Sequence, residues 1–208
     1  MGHVALLGDS ILDNGAYTGE GPDVITQLRP LLPAGWAATL VALDGSVALG
    51  LIAQATRIPR DATHLVVSAG GNDALGHAGL LGAPARSAGQ VLDQLAEAVA
   101  AFESDYRAGL GAVLQLGLPT IACTIYNGNS PDAVFQRRAR TALTLFNDVI
   151  LRVAFGHALT IVDLRYVCSE AADYANPIEP SSHGGAKIAR AIAGAVAGRA
   201  TGARVVLS

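Results

Sequence analysis

The sequence predicts a three-layer α/β/α sandwich built on a five-stranded parallel sheet. Short apolar runs, several rich in β-branched residues, alternate along the chain with segments of helical period. Within the runs nearly every position is apolar, the pattern of strands covered on both faces by helices. Composition agrees: of 208 residues, 51% are hydrophobic and only 15% charged. That supports a sizeable core and excludes intrinsic disorder, which needs the opposite balance.

The runs fall at residues 4–7, 38–43, 65–67, 120–125 and 159–162. Between the third and fourth, Ser87 and Gln90 have capping-box spacing and open a helix that continues through Leu92, Leu95, Val99 and Phe102. After the fourth, Phe135, Ala139, Ala142, Leu143, Phe146 and Val149 share one stripe, with Ser130-Pro131 expected as N-cap and first helical position. A last helix carries Ile188, Ile192 and Val196. This alternation demands right-handed crossovers. No repeat, linker or composition break divides the chain, so residues 1–208 read as one domain.

Fourteen basic against seventeen acidic residues give a net charge of −3, which leaves no electrostatic footprint for nucleic acid. No apolar run reaches the length of a bilayer span. Met1-Gly2-His3 leads into the first run without a basic n-region. Cys123 and Cys168 sit singly in apolar stretches, as reduced core residues do. The expectation is a cytoplasmic protein without a disulfide framework.

Ligands of such sheets bind beyond the carboxyl ends of the strands, so the polar residues after each run are where chemistry is expected. Ser10 follows the first run, Asp44-Gly45-Ser46 the second, Gly70-Gly71-Asn72-Asp73 the third and Tyr126-Asn127 the fourth; His183 opens the last helix. A serine hydroxyl needs an adjacent base, and His183 can supply it if a carbonyl or carboxylate fixes its other ring nitrogen. The Ser10 and Gly45 N–H groups and the Asn72 amide can hold an oxyanion. Together these groups make an acyl-transfer site. The reading requires Ser10 and His183 to meet at one rim of the sheet.

At these residues the chain resembles the GDSL esterases and lipases, the SGNH hydrolases. Gly8-Asp9-Ser10-Ile11 is similar to the nucleophile block, Gly45 falls at the oxyanion glycine, Gly71-Asn72-Asp73 is similar to the asparagine block, and His183 sits where the base does. The resemblance spans nearly the whole chain. It implies a flavodoxin-like fold, no metal or other cofactor, and hydrolysis of esters or thioesters through an acyl-enzyme. One block departs from the pattern. The family places an Asp three residues before the His, and here that position is Pro180. Glu179, one residue further back, is the expected partner of His183; a backbone carbonyl or water, leaving a Ser-His dyad, is the alternative, with Asp173 and Asp163 as weaker candidates.

A small-molecule ester is thus the expected substrate, with short acyl chains and acetylated sugars in that class. The same machinery serves an acyltransferase, and the irregular last block also fits a non-catalytic module that binds acylated glycans or lipids. His77 is the competing base, because it follows Asn72 closely. Tyr126 and Asn127 are candidates for the acyl pocket. His3, His64, His77 and His157 lack metal-ligand spacing. Segments 13–22 and 76–86, rich in Gly and Ala, are expected to shape the pocket as lids.

Overall fold

The computed structural model describes residues 1–199. The elements follow in the order β1 (His3–Gly8), α1 (Val24–Leu28), β2 (Ala37–Leu40), α2 (Gly50–Ala55), β3 (His64–Ser68), α3 (Gly71–Gly76), α4 (Ala88–Leu114), β4 (Thr120–Cys123), α5 (Ala133–Gly156), β5 (Thr160–Val162), α6 (Leu164–Val167) and α7 (Ser182–Val196). All five strands pair in parallel, in the order β2-β1-β3-β4-β5.

Strand alternation divides the core in two. Val4 and Leu6 of β1, with Val66 and Ile121, pack against Val24 and Leu28 of α1 and Ile188 and Ile192 of α7. Ala5 and Leu7, with Leu65 and Val67, face Phe102, Tyr106 and Leu110 of α4 and Phe146 and Ile150 of α5. Both faces of the sheet are therefore dry, which is why its strands read as continuous apolar runs. The strands at 38–43 and 120–125 end earlier than the runs do, at Leu40 and Cys123. There the backbone leaves the sheet while Val41, Ala42, Thr124 and Ile125 stay buried and Leu43 turns out to solvent.

Helix α5 begins two residues later than expected. Asp132, not Ser130, is its N-cap, accepting hydrogen bonds from the N–H groups of Val134 at 2.9 Å and Phe135 at 3.1 Å. A carboxylate at that position also complements the helix dipole. Ser87 caps α4 through the Gln90 N–H, at 3.1 Å.

From β1 the chain crosses to β2 on one side, and from β3 it moves to β4 on the other. This reversal opens a crevice outside the carboxyl ends of β1 and β3. Ser10 follows the first of these strands and Asn72 the second.

Candidate active site

The approach to Ser10 depends on Gly8, the last residue of β1. Its φ is +130°, and a Cβ there would stand 1.7 Å from the Ser68 carbonyl oxygen. Only glycine lets the chain turn out of the sheet so close to β3. Gln54, buried on α2, clamps the same residue. Its Oε1 accepts from the Gly8 N–H at 2.7 Å, and its Nε2 donates to the Gly8 carbonyl at 2.8 Å and to Ser46 Oγ at 3.1 Å. One amide thereby ties the turn that carries Ser10 to the loop that carries Gly45. A lone glutamine among apolar neighbours is the only sequence signal for it.

Asp9 is 2% exposed. Its Oδ1 accepts from the Ile11 N–H at 3.1 Å, while Oδ2 has no partner. Burial pushes its carboxyl up to about 7; the Ile11 hydrogen bond opposes this, and repulsion from Glu179 and Asp73 adds to it. The fold therefore holds this proton from the ordinary value of 3.8 up to about 7, and stability is lost as pH rises through that window. The full penalty is on the order of 4 kcal/mol, from about three pKa units at 1.36 kcal/mol each. Asp9→Asn keeps the acceptor for Ile11. It is expected to flatten the decline between about pH 4 and 7, measured by urea unfolding across that range.

Glu179 is delivered from the opposite side by a braced turn. Asn176 Oδ1 accepts from the N–H groups of Ile178 and Glu179, both at 2.9 Å. The Ala175 N–H donates to the Glu179 carbonyl at 2.9 Å. Two further bonds dock this turn on the sheet: Tyr126 Oη donates to the Ile178 carbonyl at 2.6 Å, and Asn14 Nδ2 to the Pro180 carbonyl at 3.2 Å. The result places the Glu179 carboxylate, 7% exposed, on the wall of the same crevice as Ser10. Burial raises the Glu179 pKa, the polar Ser10 hydroxyl nearby lowers it, and repulsion from Asp44 raises it again. Its Oε2 is buried with no partner.

His183 is elsewhere, and this corrects the expected Ser10–His183 convergence. Ser181 caps α7, accepting from the Gly184 N–H at 3.1 Å, so His183 falls inside the first helical turn rather than ahead of it. Its imidazole is 58% exposed, with Nε2 3.7 Å from Asp173 Oδ1. It makes no hydrogen bond to Ser10 and does not line the crevice. Glu179 shares the crevice with Ser10, while the acid beside the histidine is Asp173. Of the weaker acid candidates, Asp173 is the one beside His183, but Lys187 Nζ already binds its two oxygens at 2.9 and 2.8 Å. Asp163 caps α6 and pairs with Arg165. Glu170, Asp173 and His183 bring three ligand-type atoms within 4.8 Å of one another. The Lys187 ammonium supplies the positive charge there.

The expected oxyanion donors lie around Ser10 unequally. Asn72 lines the crevice with Ser10, and its Nδ2 donates to the Ser46 carbonyl at 2.9 Å, leaving its second hydrogen free. Gly45, with φ +76°, occupies an exposed turn one residue before Ser46. Neither the Ser10 nor the Gly45 N–H has a partner among the described residues. From Ser10 the crevice continues as a trough of about 120 Å³, walled by Leu75, Ile125, Phe135, Leu143 and Phe146. Tyr126, Asn127 and His77 also line it, the His77 ring 6.4 Å from Phe146. Residues 78–81 of the segment expected as a lid form a short 3₁₀ turn, and Ala78 and Leu81 contribute to the same wall.

Solved structures share this fold over nearly their whole length. An extracellular lipase from Streptomyces rimosus superposes with a TM-score of 0.69 at 15% identity, over 92% of this chain and 98% of its own. A carbohydrate acetylesterase from Sinorhizobium meliloti gives 0.66 at 13%, over 96% and 100%. A protein assigned to the lipolytic G-D-S-L family, from Desulfitobacterium hafniense, gives 0.65 at 12%, over 93% and 98%. This is the GDSL hydrolase fold. No protein-family model and no curated protein sequence matches the chain, so the GDSL likeness is one of architecture. No helix among the described residues is long and apolar enough to cross a membrane.

Proposed function

We propose that the chain hydrolyses carboxylic esters through Ser10, with Glu179 rather than His183 taking the hydroxyl proton. The carrying observation is the buried carboxylate that shares the crevice with Ser10, at the head of an apolar trough on a GDSL hydrolase fold. With Glu179 in that place, the residue three positions before it is Asn176. The last block then reads Asn-x-x-Glu, where the resemblance leads one to expect Asp-x-x-His.

The chemistry closes on these groups. Ser10 Oγ attacks the ester carbonyl carbon as its proton passes to the Glu179 carboxylate. The tetrahedral oxyanion is held by the Ser10 N–H and the free Asn72 hydrogen, with the Gly45 N–H as third donor. Collapse breaks the bond to the alcohol, which leaves with the proton from Glu179. Water then repeats the sequence on the acyl-enzyme, giving the acid and restoring both residues. A carboxylate whose pKa is lifted by burial suits a base working near neutrality. The trough is smaller than an apolar cavity of ~150 Å³ that takes up benzene, so short acyl groups fit it best. The lipase and acetylesterase that share the fold support the ester class.

A second reading has one observation behind it. With no imidazole at Ser10, no imidazolium forms to stabilise the oxyanion, which favours a module that binds acylated ligands without turning them over. A fluorophosphonate probe separates the two. Covalent labelling at Ser10, slowed about 10²-fold or more in Glu179→Gln, is the expected result. Reversible binding of the probe without labelling would assign the binding module instead.

A further inference from the structure

We infer that Ser46 and Gln54 are positioning residues of the oxyanion hole, joining its three donors into one hydrogen-bonded unit. The inference rests on the proposed ester chemistry and adds the groups that hold its donors in register. Those donors come from separate places: Ser10 after β1, Gly45 after β2, and Asn72 in the first turn of α3. The sheet fixes where the three segments begin, not how their tips sit relative to one another. Ser46 meets that need. Its carbonyl accepts from Asn72 Nδ2 at 2.9 Å, and its Oγ accepts from Gln54 Nε2 at 3.1 Å. Its own N–H, directly after Gly45, donates to the Leu43 carbonyl at 3.1 Å. Gln54 carries the link onward. Its other amide hydrogen and its Oε1 close on the carbonyl and N–H of Gly8, two residues before Ser10. The path from Asn72 to the Ser10 turn thus runs through Ser46 and Gln54.

The packing leaves room for this link. Gly50 stands beside Ser46, and a Cβ there would lie 2.2 Å from Ser46 Oγ. A larger residue at 50 would push the hydroxyl off Gln54. Gln54 is 3% exposed, and burying an amide is costly unless its groups are paired. Pairing with Gly8 already accounts for Oε1 and one hydrogen. The second hydrogen goes to a half-buried hydroxyl that solvent could serve equally well, so stability alone does not call for that bond. The far end of the loop is tied as well. The Ala48 N–H donates to Oδ2 of Asp73, the neighbour of Asn72, at 3.0 Å. The Gly45 turn is therefore held from both α2 and α3, while the Gly45 N–H keeps no partner among the described residues. Donors fixed before the charge develops need no reorganisation in the transition state.

The experiment compares Ser46→Thr with Ser46→Val in the full chain, two side chains of nearly one shape that differ in the hydroxyl. For p-nitrophenyl acetate, kcat is expected to be about tenfold lower in Ser46→Val than in Ser46→Thr, with KM equal within about twofold. A donor displaced rather than removed forfeits part of the roughly 10²–10³ that it is worth. Methylboronic acid reads the same hole without turnover. The Oγ–B bond forms as the Ser10 hydroxyl proton passes to Glu179, leaving a tetrahedral adduct with its negative charge on the boronate. Its dissociation constant should be higher in Ser46→Val by the same factor. A merely structural hydroxyl would move the urea midpoint and leave both ratios near one. Equal kcat and equal boronate affinity in the two variants would overturn the inference and leave ester hydrolysis standing. If wild type turns over no ester, the proposed function fails instead. Boronate binding then decides the inference: a tighter adduct in Ser46→Thr than in Ser46→Val supports it, and equal or absent binding overturns it.

Discussion

Glu179→Gln is expected to lower kcat/KM for p-nitrophenyl acetate by about 10²–10⁴, the usual worth of a positioned general base. His183→Ala should stay within about twofold, as an exposed side chain away from the chemistry does. The glutamine is nearly isosteric and keeps the braced turn, so the loss would report proton transfer and not misfolding. Ser10→Ala should fall to the same floor, because residues acting as one unit do not contribute additively. The pH profile supplies the sign. Glu179 works as the carboxylate, so the rate must rise with pH. Burial places that rise above the ordinary carboxyl value of 4.5. In Glu179→Gln the rise should vanish. The reverse pattern, a silent Glu179→Gln and a His183→Ala reduced by orders of magnitude, would return the base to the histidine and require α7 to unwind its first turn. His77→Ala controls for the other imidazole in the crevice.

The layers, the strand order of burial and the position of Ser10 were legible because they follow from period and chain direction. Runs such as Val4–Leu7 can be buried on both faces only in a helix-covered sheet, and a polar residue right after one must stand at its carboxyl edge. Asn72 was legible for the same reason. The far side of the site was not, because it depends on where a helix starts. An imidazole is the commonest partner of a serine nucleophile, so residue type pointed to His183. Position decides otherwise: with Ser181 as N-cap, the residue presented to the sheet edge lies ahead of the cap, and that residue is Glu179. Pro180-Ser181 was the available signal, since serine is a favoured N-cap just ahead of a helical pattern. The α5 cap differs from expectation for a similar reason: Asp132, two residues past Ser130, bonds two N–H groups. The Gln54 clamp, the Asn176 turn and the burial of Asp9 depend on distant contacts that no local pattern encodes.

Restoring an imidazole at the carboxylate's place gives the second large expected effect. Glu179→His puts a base of ordinary pKa near 6.5 against Ser10, and the imidazolium formed during attack would be flanked by the Asp9 and Asp44 carboxylates that now repel Glu179. Asn176→Asp keeps the oxygen that accepts from the Ile178 and Glu179 N–H groups and adds a charge three residues before the new histidine. That charge can fix the ring's tautomer and orientation. The expected outcome at pH 8 is a kcat gain of about tenfold or more for the double variant over wild type. Asn176→Asp alone should do nothing useful, because a second carboxylate near Glu179 only adds repulsion. The coupling between the two substitutions should therefore be positive and on the order of 1–3 kcal/mol, measured by a double-mutant cycle on kcat. The cycle tests register as well as chemistry: only if the 176–179 turn faces Ser10 as described do the two changes depend on each other. Additive effects, or a Glu179→His variant that Asn176→Asp fails to improve, would mean that this turn does not present its side chains to the serine.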